Sequence, residues 1–457
     1  MTGLSIVILA AGQGKRMRSV LPKVLHTLAG MPLLQHVIRT AQRLPAHAIY
    51  VVYGHGGKQV REYLGMLPVH WVEQPHQLGT GHALAQAIPF IPPEHQVLVL
   101  YGDVPLITPD TLGHLISAAG SDGLAVLTTV LDDPTGYGRI LRDATGRVVR
   151  IVEEKDASTE ERAIREVSTG MVVARAGRLR DWLARLDNTN AQGEFYLTDI
   201  IALSVAQGFP VHTVAAGSPY EILGVNDRRQ LANLERYYQR MQAERLMLAG
   251  ATLRDPARFD LRGELELGQD VVIDVNVVLE GTVRLGHRVN IGPYTVLRDV
   301  MVGNDVEILA HCLIEGAEIG AGCRVGPFAR IRPRTRLEQG AHIGNFVEVK
   351  QSTVGQGSKV NHLSYIGDTT MGSRVNVGAG TITCNYDGAN KYPTVIGDNV
   401  FIGSDTQLVA PVQVGDGATV GAGSTITRDV PPGELTLSRV PQTTRVGWKR
   451  PTKKTKG

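Results

Sequence analysis

Two unlike folds in one chain, a doubly wound α/β sheet followed by a parallel β-helix of hexapeptide repeats, are what this sequence predicts. Three observations carry that expectation. In the first half, short β-branched runs that are apolar on both faces alternate with helical patterns. In the second half, an aliphatic residue followed by glycine recurs at intervals of six, twelve and eighteen residues, with slips of one. A single helical pattern joins the two. At 457 residues the chain is too long for one core. The boundaries fall at 1–227 for the α/β domain, 228–248 for a linker helix and 249–457 for the repeats.

The first half is marked by Ile6-Val7-Ile8-Leu9, Ile49-Tyr50-Val51-Val52 and Val97-Leu98-Val99-Leu100, each ending in a glycine-containing turn. Buried parallel strands read this way, and a doubly wound sheet takes its ligands at the carboxyl ends of its strands. The linker helix can be capped by Asn226 or Asp227 and ended by Gly250, with Leu231, Leu234, Tyr238, Met241 and Leu248 at helical spacing. Twenty-odd residues span roughly 33 Å, enough to separate two domains.

The repeats run from Leu285-Gly286 and Ile291-Gly292 through Ile343-Gly344 to Val414-Gly415 and Val420-Gly421. A triangular coil points one side chain per six residues into a narrow interior, and glycine or another small residue allows the corner. Each coil pairs its backbone with the next at about 4.8 Å, so no coil is stable alone. The period breaks between Gly378 and Gly397, over a polar stretch at 383–392. A polar loop ejected from a solenoid is a candidate binding element.

Composition limits the partners. Glycine, 52 residues, is far above the usual roughly 7%, and aromatic content is only 5%. A net charge of +3 gives no case for nucleic acid. The basic residues at the C-terminus (Arg445, Lys449, Arg450, Lys453, Lys454, Lys456) read as a solvated tail. Cys312, Cys323 and Cys384 form neither a disulfide framework nor a zinc motif, which suits a reducing cytosol. The chain opens on a strand rather than a leader, and no apolar run approaches the roughly 20 residues that cross a bilayer. A soluble cytoplasmic protein without membrane insertion is expected.

Chemistry enters after the first strand, at Leu9-Ala10-Ala11-Gly12-Gln13-Gly14-Lys15-Arg16 and Leu21-Pro22-Lys23. Gly12 and Gly14 let backbone approach phosphates, while Arg16 and Lys23 supply positive charge. A dinucleotide fingerprint fails because Met17 stands where the third glycine belongs; a P-loop fails because Leu9 and Arg16 replace its glycine and hydroxyl. Tyr101-Gly102-Asp103 sets a carboxylate at the end of a central strand, a place for a magnesium ligand or equally for a turn cap. Gln74, Gly79-Thr80-Gly81 and Gly136-Tyr137-Gly138-Arg139 are turns able to line a base and sugar pocket. With Pro134-Thr135 and Glu153, this set resembles the sugar-1-phosphate nucleotidyltransferases. The resemblance implies attack of a sugar phosphate on the α-phosphorus of a nucleoside triphosphate, with charge neutralisation and positioning as the catalysis.

In the repeats, Arg330, Arg332, Lys350, His362, Tyr365, Asn376, Asn385 and Tyr386 fall within a few coils. Residues eighteen apart stack, so Arg332 and Lys350 are expected side by side, where two cations can grip a phosphate. His362 follows one strand later and is expected close by, able to accept a proton from an amine.

The whole chain resembles the bacterial bifunctional N-acetylglucosamine-1-phosphate uridyltransferase/glucosamine-1-phosphate acetyltransferases. The most specific stretches are Gly344-Asn345-Phe346-Val347-Glu348-Val349-Lys350, residues 378–388 and Ser438-Arg439-Val440-Pro441-Gln442. The resemblance implies a left-handed β-helix that forms a homotrimer. It implies that Arg332, Lys350, Tyr365 and Asn376 hold glucosamine 1-phosphate with His362 as general base. Acetyl-CoA would then meet Ala379, Ser404, Ala422 and Arg439, with Asn385 and Tyr386 lining the same site. In the first domain, UTP or UDP-N-acetylglucosamine would contact Leu9, Ala10, Ala11, Gly12, Arg16, Lys23, Gln74, Gly79, Thr80, Tyr101, Gly102, Asp103, Gly138, Glu153, Ser168 and Asn226. Mg²⁺ would bind Asp103 and Asn226. One departure stands out: the family commonly has Asn-Thr-Gly where this chain has Ser168-Thr169-Gly170.

Two other readings compete. A pyrophosphorylase making another nucleotide sugar would use the β-helix only for assembly, leaving the Arg332, Lys350 and His362 cluster unexplained. A zinc enzyme of the γ-carbonic-anhydrase type would need three histidines; His311, His342 and His362 lie 31 and 20 residues apart, which does not align on one corner.

Overall fold

The computed structural model describes residues 3–120 and 123–453. Lys454 and Lys456 of the basic tail lie outside the described residues. The chain divides into two compact units, 1–239 and 240–457.

The first unit is built on a nine-stranded sheet. Its main path runs Val211–Ala215, Leu124–Val130, Glu166–Arg175, Gln96–Tyr101, Leu4–Ala10, Ala48–Tyr53, His70–Glu73. Leu4–Ala10 is buried throughout, because its two faces serve two cores. Ile6 and Ile8 pack with Val37, Leu98 and Leu112 on one side; Val7 and Leu9 pack with Leu84, Val99 and Trp182 on the other. That is why the run is uniformly apolar rather than alternating. Glu166–Arg175 is antiparallel to both neighbours, which the strand runs did not foretell. Register then fixes the site: Leu9 lies opposite both Val52 and Tyr101, so three strands end together on one edge.

The helix Arg228–Leu248 is capped by Asp227, whose Oδ1 accepts from the amides of Arg229 and Gln230, both at 2.9 Å. Asn226 is not the cap; its side chain turns to Lys23. At the far end Gly250 has φ +99°, its amide bonds the Met247 carbonyl, and Ala251 bonds that of Leu246. This is a Schellman stop, and glycine supplies the left-handed residue it requires. Leu231, Leu234 and Tyr238 pack on the first unit around Met17, Leu28 and Leu33. Met241 and Leu248 do not join a buried face as expected; they are exposed, and Ala243 and Leu246 take the core positions of that half.

The second unit is a left-handed parallel β-helix. Its interior is three aliphatic columns. One runs Leu261, Leu279, Leu297, Ile314, Ile331, Val349, Ile366. A second runs from Ile273 through Ile343 to Val420, and a third from Leu267 through Leu337 to Val414.

The glycine of each aliphatic–glycine pair has a different cause from the one expected. Corners are turned at positive φ both by unpaired glycines, such as Gly322, Gly340 and Gly357, and by larger residues, among them Asp270, Asn276, Arg288, Tyr294 and Asp305. The paired glycines instead sit beneath the next coil. A Cβ on Gly286 would lie 2.7 Å from the Gly303 carbonyl carbon, and one on Gly292 2.8 Å from the Ala310 amide nitrogen. Stacking, not the turn, excludes a side chain.

One corner column carries rings. Tyr294, His311, Phe328 and Phe346 all have φ between 56° and 60° and stack with centroids 5.0, 4.7 and 5.2 Å apart. About half of each of Tyr294, Phe328 and Phe346 is exposed.

The ejected loop is an ordered hairpin: Tyr386 and Lys391 form an antiparallel bridge, and Asp387 Oδ1 accepts from the amides of Ala389 and Asn390. The coil resumes its register beyond it, Val377 pairing with Ile402. All three cysteines are free, Cys312 and Cys323 buried. No helix among the described residues is long and apolar enough to cross a membrane.

Candidate functional site

In the first unit, the common edge where strands Leu4–Ala10, Ala48–Tyr53 and Gln96–Tyr101 end opens into a cavity of about 510 Å³. Twelve of the expected residues line it: Leu9, Ala10, Ala11, Gly12, Arg16, Lys23, Gln74, Gly79, Thr80, Tyr101, Asp103 and Asn226. Gln74 reaches it because its amide continues the sheet onto the Tyr53 carbonyl at 2.8 Å. Gly102 does not line it; the residue packs beneath, against Ala10, Leu34 and Val24. Gln77 and Glu194 also form its wall and were missed, since neither belongs to a motif and Glu194 arrives from a distant loop.

Gly138, Glu153 and Ser168 form an adjoining cluster rather than part of this wall. Gly138 pairs with Ser168 in register and faces the Glu153 carboxylate. Glu153 accepts from Thr198 Oγ1 at 2.8 Å. Burial raises its pKa above the ordinary carboxylate range. The Ser168 Oγ accepts from the Gly170 amide at 3.1 Å. Tyr101 links cavity and cluster, and burial first, then Glu153, pushes its phenol far up. Asp199, behind Glu153, is raised to about 6 by burial and then by the Glu153 charge.

Asp103 and Asn226 are held together by backbone, the Val225 amide donating to the Asp103 carbonyl at 2.9 Å. Their side chains share one cation, the Lys23 ammonium, which donates to Asp103 Oδ2 and, at 3.2 Å, to Asn226 Oδ1. One carboxylate and one amide oxygen around a positive charge fit a magnesium ion that draws its other ligands from phosphate and water.

In the second unit, one column of outward residues reads Arg262, Glu280, Arg298, Glu315, and register continues it to Arg332 and Lys350. Signs alternate up to Arg332. Arg262 meets Glu280 at 3.0 Å and Arg298 meets Glu315 at 2.6 Å. At Arg332 and Lys350 two cations stack, as the eighteen-residue spacing implied. Lys391, from the ejected loop expected to be a binding element, is a third, though its approach to Lys350 was not foreseen; it and then desolvation lower the Lys350 pKa. Arg332 is held by Glu348 at 2.9 Å. Tyr365 follows on the same face beside Gly367 and Asn385, and Asn385 donates to Asp368. Glu348 offsets Arg332, so the surplus positive charge of this cluster comes from Lys350 and Lys391. Neither of these two cations is ion-paired to a carboxylate among the described residues, and that surplus suits an anion.

His362 is on a neighbouring face, at the end of strand Lys359–His362, with the corner at Leu363 between it and Tyr365. Its Nδ1 bonds Asn345 Oδ1 at 3.2 Å. The amide oxygen only accepts, so in the neutral ring Nδ1 carries the hydrogen and Nε2 the lone pair. Above His362 the same corner carries Ala379, Ser404 and Ala422. Their succession follows from the bonds of Gly380 to the His362 carbonyl, Asp405 to Ala379 and Gly423 to Ser404. Arg439 Nη1 reaches the Ala422 carbonyl at 3.0 Å. Asn376 stacks between Lys359 and Phe401, at the other end of that face, and one chain does not bring it to Lys350. Tyr386 sits on the loop, its hydroxyl donating to the Gly388 carbonyl.

A larger hollow of about 560 Å³ runs along Arg284, Glu318 and Arg336 on another face. Its cations are ion-paired, Arg284 with Glu266 at 3.1 Å and Arg336 with Glu338 at 2.9 Å, so it offers an anion little.

Fold and sites together define a two-part transferase, a nucleotidyltransferase unit carrying a hexapeptide transferase unit. The MobA-like NTP transferase domain matches residues 6–194, and the bacterial transferase hexapeptide (six repeats) matches 393–428. Over the full chain, the bifunctional protein GlmU of Methylococcus capsulatus is 61% identical across 98% of this chain and 97% of its own. Those of an Azoarcus species and Aromatoleum aromaticum are 60% and 59% identical, covering 98% and 99% of this chain and all of theirs. The chain belongs to the bifunctional GlmU family, whose members are enzymes with uridyltransferase and acetyltransferase activities. A nucleotidyl transferase from Methanothermobacter covers 53% of the chain at 21% identity and a TM-score of 0.38.

Proposed function

We propose that the two sites work in sequence, the second unit acetylating glucosamine 1-phosphate and the first transferring UMP from UTP to the product. The observation that carries this assignment is the break in charge alternation at Arg332 and Lys350, on the coils that also present His362 with a free Nε2. Arg332, Lys350 and Tyr365 hold the sugar phosphate. Nε2 of His362 takes a proton from the 2-amino group as its nitrogen attacks the thioester carbonyl, and the carbon–sulfur bond breaks to release the CoA thiolate. The corner of Ala379, Ser404 and Ala422, with Arg439 above it and Asn385 and Tyr386 opposite, receives acetyl-CoA.

In the first unit the backbone of Leu9 to Gly12 and the side chains of Arg16 and Lys23 neutralise the triphosphate. Gln74, Gly79 and Thr80 contact the nucleoside, Gly102 shapes the floor, and Gly138, Glu153 and Ser168 face the sugar. A phosphate oxygen of N-acetylglucosamine 1-phosphate attacks the α-phosphorus and pyrophosphate leaves. Asp103 and Asn226 hold Mg²⁺, which offsets charge on the phosphates when bound.

The working form is a homotrimer in the cytoplasm. Two observations support association through the β-helix: the exposed ring stack from Tyr294 to Phe346, and the position of Asn376 on a face away from Lys350. A second copy supplies both the cover and the missing side chain. His362→Ala tests the division of labour. Acetyl transfer should vanish and UMP transfer from UTP to N-acetylglucosamine 1-phosphate should persist; loss of both overturns it.

A further inference from the structure

Lys23 rises from the short helix Lys23–Leu25, with Pro22 before it and Gly14 against its stem, where a Cβ on Gly14 would lie 2.6 Å from Lys23 Cβ. The stem therefore stands between the Gly12–Gly14 turn, where phosphates would rest, and the pair Asp103 and Asn226. Its ammonium lies on that pair, touching both oxygens that would receive a divalent cation. Both side chains of the ion pair are largely buried, at 14% and 17% exposure, so water screens the contact poorly.

We propose that Lys23 is an internal counter-ion that occupies the divalent-cation position in the free enzyme and leaves it when a nucleoside triphosphate arrives. An ammonium and a divalent cation compete at this pair, because like charges repel at contact distance and Lys23 already lies on Asp103 Oδ2 and Asn226 Oδ1 together. Four flexible methylene carbons let the ammonium swing to phosphate oxygens on the Gly12–Gly14 turn. The swing frees Asp103 and Asn226 and supplies the phosphates that complete the metal's ligands. Metal binding is thereby made conditional on nucleotide. Free divalent cation does not load the empty enzyme, and nucleotide and metal bind cooperatively, each favouring the other by the same factor. Arg16 lines the same cavity without a hydrogen bond to either oxygen among the described residues, so its charge tests simple long-range repulsion.

The inference rests on Asp103 and Asn226 being the metal position, and the experiment separates the two. Mn²⁺ binding to the full-length protein is measured from the loss of its free electron paramagnetic resonance signal, with and without a non-hydrolysable UTP analogue. In the wild type the analogue should tighten Mn²⁺ at least tenfold beyond the Mn²⁺ affinity of the analogue alone. Lys23→Met should bind Mn²⁺ at least tenfold more tightly than wild type without nucleotide, and Lys23→Arg should not. Arg16→Met should shift it less than threefold. Equal free-enzyme affinity in wild type and Lys23→Met overturns the proposal, as does a shift in Arg16→Met as large as that in Lys23→Met. Asp103→Asn should abolish the tight ternary site; if that site survives, the metal assignment itself fails. Near-ultraviolet circular dichroism of each variant shows whether its fold is intact, and a Lys23→Met that fails to fold leaves Lys23→Gln to decide by the same criterion.

Discussion

Gly12 and Gly344 look alike in the sequence, but the structure gives them opposite jobs, and alanine tells them apart. A Cβ added at Gly12 meets no protein atom within 4 Å, and its backbone lies outside the left-handed region. The folded chain has no reason to resist Gly12→Ala, and its stability should change by no more than about 0.5 kcal/mol. The added methyl instead enters the 510 Å³ cavity at the turn where phosphates are proposed to rest. Forcing one methyl group into a packed contact costs about 1–3 kcal/mol. At 1.4 kcal/mol per tenfold, that predicts a fall of about five- to hundredfold in kcat/KM for UTP. Pyrophosphate release under limiting UTP reads the loss, and thermal unfolding reads the stability. Two results refute the reasoning: wild-type kcat/KM in Gly12→Ala, which would take the phosphates elsewhere, or a clear drop in melting temperature, which would make the glycine structural.

Gly344→Ala should do the reverse, since its Cβ would overlap the Asn361 carbonyl oxygen of the next coil and backbone cannot rotate aside. A loss of about 3 kcal/mol or more in denaturant unfolding is expected, with acetyl transfer falling because Asn345 next to it positions His362; UMP transfer reports on the other unit. Lys350→Met removes one cation from the anion site, and a charge-assisted hydrogen bond of about 1.5–3 kcal/mol predicts a KM for glucosamine 1-phosphate raised ten- to a hundredfold. A CoA-thiol release assay checks it, and an unchanged KM would move the phosphate elsewhere. Asp199 has a folded pKa of about 6 against an ordinary 3.8, so the folded chain holds its proton more tightly than the unfolded chain does. Stability from this group is therefore present below pH 3.8 and is lost as pH climbs to about 6. Asp199→Asn should gain about 1 kcal/mol at pH 7.5, after discounting for partial exposure, and nothing at pH 3.5; urea titrations followed by tryptophan fluorescence test it, and equal gains at both values sink the assignment.

Much of the architecture was legible because it is periodic. The Ile-Gly and Val-Gly pairs announce a coil, and uniformly apolar runs such as Leu4–Ala10 announce a sheet covered on both faces. What the period hid was cause: the glycines are there for the coil above, and the corners tolerate Tyr294 or Arg288 at positive φ. The edge that opens into the first unit's cavity was legible where motif and strand end coincide, as at Gly12 and Asp103. Glu194 and Thr198 were not, because each reaches its place through a loop whose path no local pattern encodes, and the loop of Lys391 was legible as a binding element but not its approach to Lys350. Stacking distance predicted Arg332 beside Lys350, since that relation is one period. It could not place Asn376, which shares the coils of His362 but sits at the far end of the face, a matter of phase within the period.

Both proposed phosphate sites keep a cation on a carboxylate, yet the two arrangements ask different things of the ligand. Arg332 is bound to Glu348 through one nitrogen, and a guanidinium has five N–H donors, so it can take a phosphate without letting go. Lys23 has three donors on one nitrogen and rests on a carboxylate that is itself wanted by a metal. It must leave Asp103 for the site to be completed. An arginine suits a site that is always ready, and a lysine suits one that should stay closed until its nucleotide arrives. The choice of residue at 332 and at 23 follows from that difference, which is why Lys23→Arg, conservative in charge, is expected to hold the metal position shut rather than restore its exchange.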